Sequence, residues 1–490
     1  MNELDSLGSK EIMILPARRQ LVLTAIFFFC LAASAAAEKL PSDTIPAGRM
    51  EQYSDLAVRW MAEYLQVDTT NPPGNEARAA AFFKQILDRE GIENQVFEYA
   101  PGRANLIARL AGSGKGRPII LLNHEDVVTS DPARWKAPPF SAAILDGVMY
   151  GRGAQDMKSE GLAQLVVMVM LKREKVALDR DVIFLATADE EADGTGTDWM
   201  IAHRRDLIGN AEYLITEGGE NVKDEKGVKY IGVDVAEKSP FWLKVTARGR
   251  PGHGSRPISD SAPNRLVRAL NRILAHQTEL KALPVTEEFL RLMAPSQTGE
   301  RARWFRDLKS ALGDKRFRKS VEDDELLNYM LHNTISLTML SGSQQTNVIP
   351  GTAGAHLDVR LLPGEDPKAF LEEIRRVVDD PNVTLEPENA EFRVANASPL
   401  DTALFASFRR TATRYFPGTP VAPRMTSGYT ENQRYRGLGI ASYGFSPYTV
   451  TPEEGATEHA DNERIRVEEL RRGYRVLYDV VAGVAAAPAP

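Results

Sequence analysis

Three consecutive acids, Asp189, Glu190 and Glu191, end an apolar run in the stretch DVIFLATADEEADG at 181–194. Adjacent carboxylates repel, so a buried strand ending on three of them needs a cation or a proton to settle their charge. A solvated acidic turn is the plain alternative. Glu217 closes a second apolar stretch, EYLIT, in the same manner and is followed by Gly218-Gly219. Two of the seven histidines keep similar company. His124 follows PIILLN and opens His124-Glu125-Asp126, which sets a possible ligand beside its orienting carboxylate. His459 lies in Thr457-Glu458-His459-Ala460-Asp461, and Asp156 in YGRGAQDMKS, where two glycines flank Arg152. Taken singly, these residues read as a structural histidine, a surface loop and a helix cap. Taken together they are imidazoles and carboxylates without a thiolate, a set that suits a pair of divalent ions such as zinc, manganese or cobalt. Two ions roughly 3.5–4 Å apart need a bridging carboxylate, terminal ligands on each and an unligated base. The inventory supplies that count.

The elements that must position these residues are legible as periodic runs. Apolar spacing at 55–65 and 77–87 fits helices, with the Asn71-Pro72-Pro73-Gly74 turn between them. Strands are expected at 95–99, 105–110, 118–123, 181–187 and 211–216, and helices at 161–172 and near 199–206. Strands alternating with helices indicate an α/β domain with a mostly parallel sheet and helices on both faces, and such sheets hold ligands at their carboxyl ends. From about Lys238 the style changes. FWLKVTA at 241–247 and AGAHLDVRL at 353–361 alternate apolar with polar, and helices are expected at 262–276 and 366–378. Half-exposed strands with helices on one side fit an inserted α+β domain. The charged segment 281–333 reads as a helical, solvated elaboration of that domain. The α/β style returns near Ser398 and ends in an amphipathic helix at 467–484. The expected organisation is therefore a leader at 1–37, a catalytic domain at 38–238 and 393–490, and an inserted lid at 239–392.

At 490 residues the chain has room for two or three domains, and a formal net charge of -7 argues against a nucleic-acid partner. Arg18 and Arg19 precede the apolar run LVLTAIFFFCL and the small-residue stretch AASAAA, which is the order of an export signal cleaved after Ala37. An uncleaved membrane anchor is the alternative. Cys30, the one cysteine, lies inside that segment, so the mature chain would hold no disulfide and no thiolate ligand. A periplasmic or extracellular location is expected.

In motif order and spacing, from about residue 53 to 484, the chain resembles a metallopeptidase family. That family includes glutamate carboxypeptidase, aminoacylase, succinyl-diaminopimelate desuccinylase and vacuolar carboxypeptidase S. The resemblance rests on His124-Glu125-Asp126-Val127-Val128, Trp135 with Pro139-Phe140, Gly151-Arg152-Gly153 with Asp156-Met157-Lys158, Asp189-Glu190-Glu191, Glu217-Gly218, and His459 before Glu463-Arg464. It implies that His124 and Glu217 hold one metal, Glu191 and His459 the other, and that Asp156 bridges them. Asp126 would orient His124, and Glu190 would be the general base. Asp189 is expected either to support a neighbouring ligand or to be structural.

The lid motif Gly249-Arg250-Pro251-Gly252-His253-Gly254-Ser255 implies that His253 steadies the oxyanion, often across a dimer. Asn347 and Arg360 would meet the substrate carbonyl and carboxylate; a strand-edge ion pair is the alternative for Arg360. Ser427-Gly428-Tyr429-Thr430-Glu431-Asn432 departs from the family pattern at Tyr429 and Glu431, while Gly428 and Thr430 would still line the pocket. The long insert resembles the carboxypeptidase S branch, which includes N-fatty-acyl-amino-acid hydrolases. The implied activity is two-metal hydrolysis of an amide beside a free carboxylate, in short peptides or N-acyl amino acids, with zinc the expected metal. A two-metal phosphoesterase and a non-catalytic periplasmic peptide-binding protein are the alternatives.

Overall fold

Short apolar runs bounded by turn residues become the strands of two separate sheets in the computed structural model, which describes residues 39–388 and 395–487. The expected leader, with Cys30, lies outside the described residues, as does the expected junction at 392–393. Among the described residues no helix is long and apolar enough to cross a membrane.

The first sheet is built from β1 (Glu93–Ala100), β2 (Arg103–Leu110), β3 (Ile119–His124), β4 (Val182–Thr187), β5 (Tyr213–Thr216) and β6 (Ile231–Glu237). The second contains β7 (Leu243–Arg248), β8 (Thr334–Ser341), β9 (Thr352–Leu361) and β10 (Val383–Pro387). The chain then returns to the first sheet with β11 (Val421–Thr426) and β12 (Ala441–Gly444), giving eight strands in the order β1-β2-β4-β3-β5-β12-β6-β11. β3 runs parallel to β4 and β5, β5 to β12, and β6 to β11. Antiparallel pairs join β1 to β2, β2 to β4 and β12 to β6.

Every residue of β3 and β4 is buried, because successive side chains point to opposite faces and both faces are covered. Ile119 and Leu121 join the larger core beneath helices α1 (Ala47–Leu65), α2 (Ala77–Arg89) and α3 (Lys158–Arg173). Ile120 and Leu122 join a smaller core on the other face with Met200 and Leu214.

The second sheet is antiparallel and one-sided. β9 lies between β7 and β8, and β10 pairs with β7. Along β9 buried residues alternate with partly exposed ones. The buried set packs on α4 (Ala262–Ala275) and α5 (Pro367–Val378) through Leu266, Ile273, Phe370 and Ile374.

Four of these strands were not anticipated: β6, β8, β11 and β12. β6 carries Asp234 and Glu237, yet every residue in it is buried; β8 is mostly exposed and forms an edge.

The segment 281–333 requires a correction. It is helical, as expected, but it is neither solvated nor attached to the second core. Its helices, from Pro284 to Leu331, insert Phe289, Leu290, Phe305, Phe317 and Leu331 into the core of the first sheet. Phe289 meets Tyr230 edge-on at 5.6 Å. The many arginines ring these aromatics in ion pairs such as Arg301–Asp324 and Arg316–Glu300. If Phe289 is core, Phe289→Ala should cost about 3–5 kcal/mol in urea denaturation. A loss below about 1 kcal/mol would return the segment to the solvent.

Candidate active site

Parallel strands deliver their carboxyl ends to one edge, and the acids and histidines gather there. His124 is the last residue of β3, Glu190 and Glu191 follow β4, and Glu217 follows β5. Asp156 comes from the loop before α3, and His459 from the loop before the final helix α6 (Val467–Ala485).

Asp156 is the centre of the group. Its Oδ1 lies 2.9 Å from His124 Nε2, and its Oδ2 lies 2.8 Å from His459 Nε2. Glu217 stands 3.4 Å from His124 Nε2, and Glu191 stands 3.2 Å from His459 Nε2. His124 Nδ1 faces Asp126, 3.0 Å from its carbonyl oxygen and 3.6 Å from its carboxylate. A donor bond from Nδ1 leaves the Nε2 lone pair directed at the acids, which is the arrangement a metal-ligating histidine needs.

Two buried carboxylates fix this geometry by accepting peptide N–H groups. Asp126 receives the amides of Glu190 and Glu191, each at 3.1 Å, and the Asn71 side chain at 2.8 Å. Glu463 receives the amides of Gly153, Gln155 and Asp156, together with Arg152 Nη1 at 2.7 Å. Arg152 is only 2% exposed, so this is a buried ion pair, and Arg152 Nη2 also donates to the carbonyls of Thr129 and Ala460. Gly153 has φ +87, and a Cβ there would stand 2.8 Å from Val127, so the loop requires glycine at that point.

Asp189 also sits in the left-handed region, at φ 72, which aspartate tolerates better than most residues. It turns away from the cluster to accept from Asn71, Arg103 and Thr195. The expectation that it is structural agrees with these contacts.

Charge in the group is far from balanced. Burial, then the neighbouring Glu217, holds Glu190 well above the usual carboxylate range. Burial likewise pushes Glu217 up to about 8, against the His124 hydrogen bond. Burial opposes a charge on His124, but Asp126, Asp156 and Glu217 outweigh it and raise its pKa. Hydrogen bonds to Asp156 and Glu191 push His459 up to about 11.

A divalent cation fits this donor set. One atom each from His124, Asp156 and Glu191 lie within 4.8 Å of one another, as do atoms from His124, Glu190 and Glu217. Glu191 Oε1 is buried with no hydrogen-bond partner among the described residues. Imidazole nitrogens with carboxylate oxygens match zinc, manganese or cobalt.

A cavity of about 340 Å³ opens over the group, lined by Asp156, Glu190, Glu191, Glu217 and His459. Gly428 and Thr430 line it too. Thr430 is held by Glu237, which accepts both its amide and its hydroxyl at 3.0 Å.

The expected lid residues are elsewhere. His253 is exposed on a short strand paired with Val348–Ile349, and Gly254 N–H donates to the carbonyl of Asn347 beside it. Arg360 is bound bidentately by Asp358. None of the three lines the cavity. Sequence reasoning passed over the roles of Glu463 and Arg152. The one available signal was a glutamate four residues after His459.

An open sheet whose strand ends gather imidazoles and carboxylates in one cavity presents a donor set for divalent metal. The chain belongs to peptidase family M20/M25/M40, whose family model matches residues 120–483. It is a metal-dependent amidohydrolase of that family. Rat aminoacylase-1B is 29% identical over 442 residues, covering 88% of this chain and 96% of the relative. Human N-fatty-acyl-amino acid synthase/hydrolase PM20D1 is 26% identical over 416 residues, covering 81% and 80%. Among solved structures, the M20 metallo-carboxypeptidase Sso-CP2 from Sulfolobus solfataricus shares the fold with a TM-score of 0.66 at 19% identity, covering 87% of this chain and 98% of that one.

Asp126 touches no cavity wall but aims three members of the group. Asp126→Ala should weaken zinc binding about 10–100-fold, measured by competition with a calibrated chelator. Unchanged affinity would show that the histidine and the two glutamates aim themselves.

Proposed function

We propose that the protein holds two divalent ions, with zinc the expected metal, and hydrolyses an amide bond beside a free carboxylate in a short peptide or N-acyl amino acid. The observation that carries this reading is the double engagement of Asp156, one oxygen toward each histidine. His124 and Glu217 would hold one ion, Glu191 and His459 the other, and Asp156 would span both. When bound, the ions supply Lewis acidity, acidifying a water and polarising the scissile carbonyl.

The chain's own residues account for the proton. Glu190 lines the cavity, and its carboxylate has no hydrogen bond to any described residue, so it is free to face the reacting water. It takes a proton as the water attacks the carbonyl carbon and hands it to the nitrogen as the C–N bond breaks. Arg360, now engaged by Asp358, and Asn347 are the proposed holders of the substrate carboxylate and carbonyl. Gly428 and Thr430 shape the wall. Glu190→Gln should retain its metal, read by elemental analysis, while kcat falls about 10²–10⁴-fold. Wild-type turnover in that variant would remove Glu190 from the reaction.

A homodimer through the second sheet belongs to the same proposal. Met339 and Leu340 on the edge strand β8 are 59% and 67% exposed, and Val267 on α4 is 65% exposed. Val267 and Val348 border one groove together with Ser341 at the end of β8. An open edge strand beside exposed apolar side chains is a pairing surface. In such a dimer the partner's His253 is the proposed oxyanion group. Light scattering should find a dimer that the double variant Val267→Asp, Leu340→Asp converts to a monomer. A wild-type monomer that turns over normally would overturn the dimer.

A further inference from the structure

Asp126 and Glu463 fix the backbone around Glu190, Glu191 and Asp156; the turn that carries Glu217 meets a third buried carboxylate. Glu217 follows β5 and stands 3.4 Å from His124 Nε2. Directly after it the chain turns back through Gly218 and Gly219, at φ 107 and 73. A ligand on the first residue of so tight a turn points where the turn lets it.

Asp234 in β6 is that carboxylate. It is 5% exposed, and its Oδ2 accepts the Gly219 N–H at 3.0 Å. A Cβ at Gly218 would stand 2.8 Å from the same oxygen, so the carboxylate packs directly on the turn. An acid inside a buried strand is costly, and an apolar residue would fill the place more stably. What the acid adds is an acceptor aimed at one peptide group of the turn.

The sheet supplies the support for that acceptor. Thr216 on β5, Gly444 on β12, Asp234 on β6 and Arg424 on β11 are successive cross-strand partners. Arg424 Nε stands 3.6 Å from Asp234 Oδ1, and its Nη1 donates to the Glu220 carbonyl at 3.3 Å. One guanidinium therefore holds both the carboxylate and the far end of the turn. The helical insert backs it in turn. Arg424 lies over the Tyr230 ring, 5.9 Å from its centroid, and Phe289 meets that ring edge-on. The helix Pro284–Met293, which carries Phe289, packs on β11.

We infer that Asp234, held by Arg424, is the positioning residue for Glu217, and that the helical insert thereby supports the metal position assigned to His124 and Glu217. Asp234 acts through the Gly219 amide, since no atom of it belongs to either group of clustered ligand atoms. The position assigned to Glu191 and His459 is built on Asp126 and Glu463 and does not depend on it.

This rests on the proposed two-ion reading, and zinc affinity in two single-site backgrounds separates the two. His459→Ala leaves the ion of His124 and Glu217; Glu217→Ala leaves the ion of Glu191 and His459. Competition with a calibrated chelator reads each. Asp234→Ala should weaken zinc about 10–100-fold in the first background and change it by less than about twofold in the second. Asp234→Asn, whose amide oxygen still accepts the Gly219 N–H, should recover most of the loss. Arg424→Gln should show a smaller loss confined to the first background, and it carries the comparison if Asp234→Ala does not fold. Equal losses in both backgrounds would make Asp234 a general scaffold residue and overturn the inference, as would unchanged affinity in the first. Wild-type protein that binds fewer than two equivalents sinks the parent reading instead.

Discussion

The carboxylate of Asp126 accepts the peptide amides of both Glu190 and Glu191, and the rest of the site depends on that arrangement. Two glutamates adjacent in sequence repel each other and, left to themselves, would share one role. Pinned through their backbones, they take different directions: Glu191 toward His459, and Glu190 into the cavity. The same carboxylate faces the His124 ring, so one buried anion sets the direction of three functional side chains. Peptide N–H groups suit this task because they are fixed dipoles that cannot reorient as the reaction proceeds.

Glu463 repeats the device on the other side of the site. By accepting three loop amides and Arg152, it ties the carboxyl-terminal loop carrying His459 to the loop carrying Asp156. Residues more than 300 positions apart in the chain thereby become rigid neighbours. The two hubs share a logic. Each places a charge in the interior, where it costs several kcal/mol, and offsets that cost with backbone donors rather than with a lone ion pair. The remaining acids are not offset in this way. Glu190 and Glu217 carry raised proton affinities, and Glu191 has an oxygen without a hydrogen-bond partner among the described residues.

Much of this was legible in the chain itself, for a physical reason. His124, Glu190, Glu191 and Glu217 each follow a continuous apolar run, and a doubly covered parallel strand reads as such a run. Its carboxyl end is then marked by the first polar residues. Asp156 and His459 lack that signal and were joined to the set by their chemistry alone. Glu463 and Arg152 could not be found this way, since an acid that caps a loop 300 residues away has no local periodicity. β6 was missed because Asp234 and Glu237 broke the apolar pattern. Their partners, Arg424 and Arg436, are distant in sequence. The helices at 284–331 misled for the opposite reason: their arginines dominate the composition while the aromatics at helical spacing decide the packing.

The departure at Tyr429 and Glu431 takes on a physical meaning in this setting. Glu431 is 1% exposed, accepts from Thr187 at the end of β4, and leaves Oε1 buried without a hydrogen-bond partner among the described residues. It lies within electrostatic reach of both Glu190 and His124, and burial raises its own proton affinity. Tyr429 leans on Arg434, whose charge is taken by Asp198. The loop is thus anchored on three sides: by Thr187, by Asp198 through Arg434, and by Glu237 through Thr430. The altered residues therefore place a further acid beneath the catalytic end while holding the Gly428–Thr430 wall in place. Acids line the cavity from Glu190 to Glu458, interleaved with Met157, Tyr448, Val450 and Ile465.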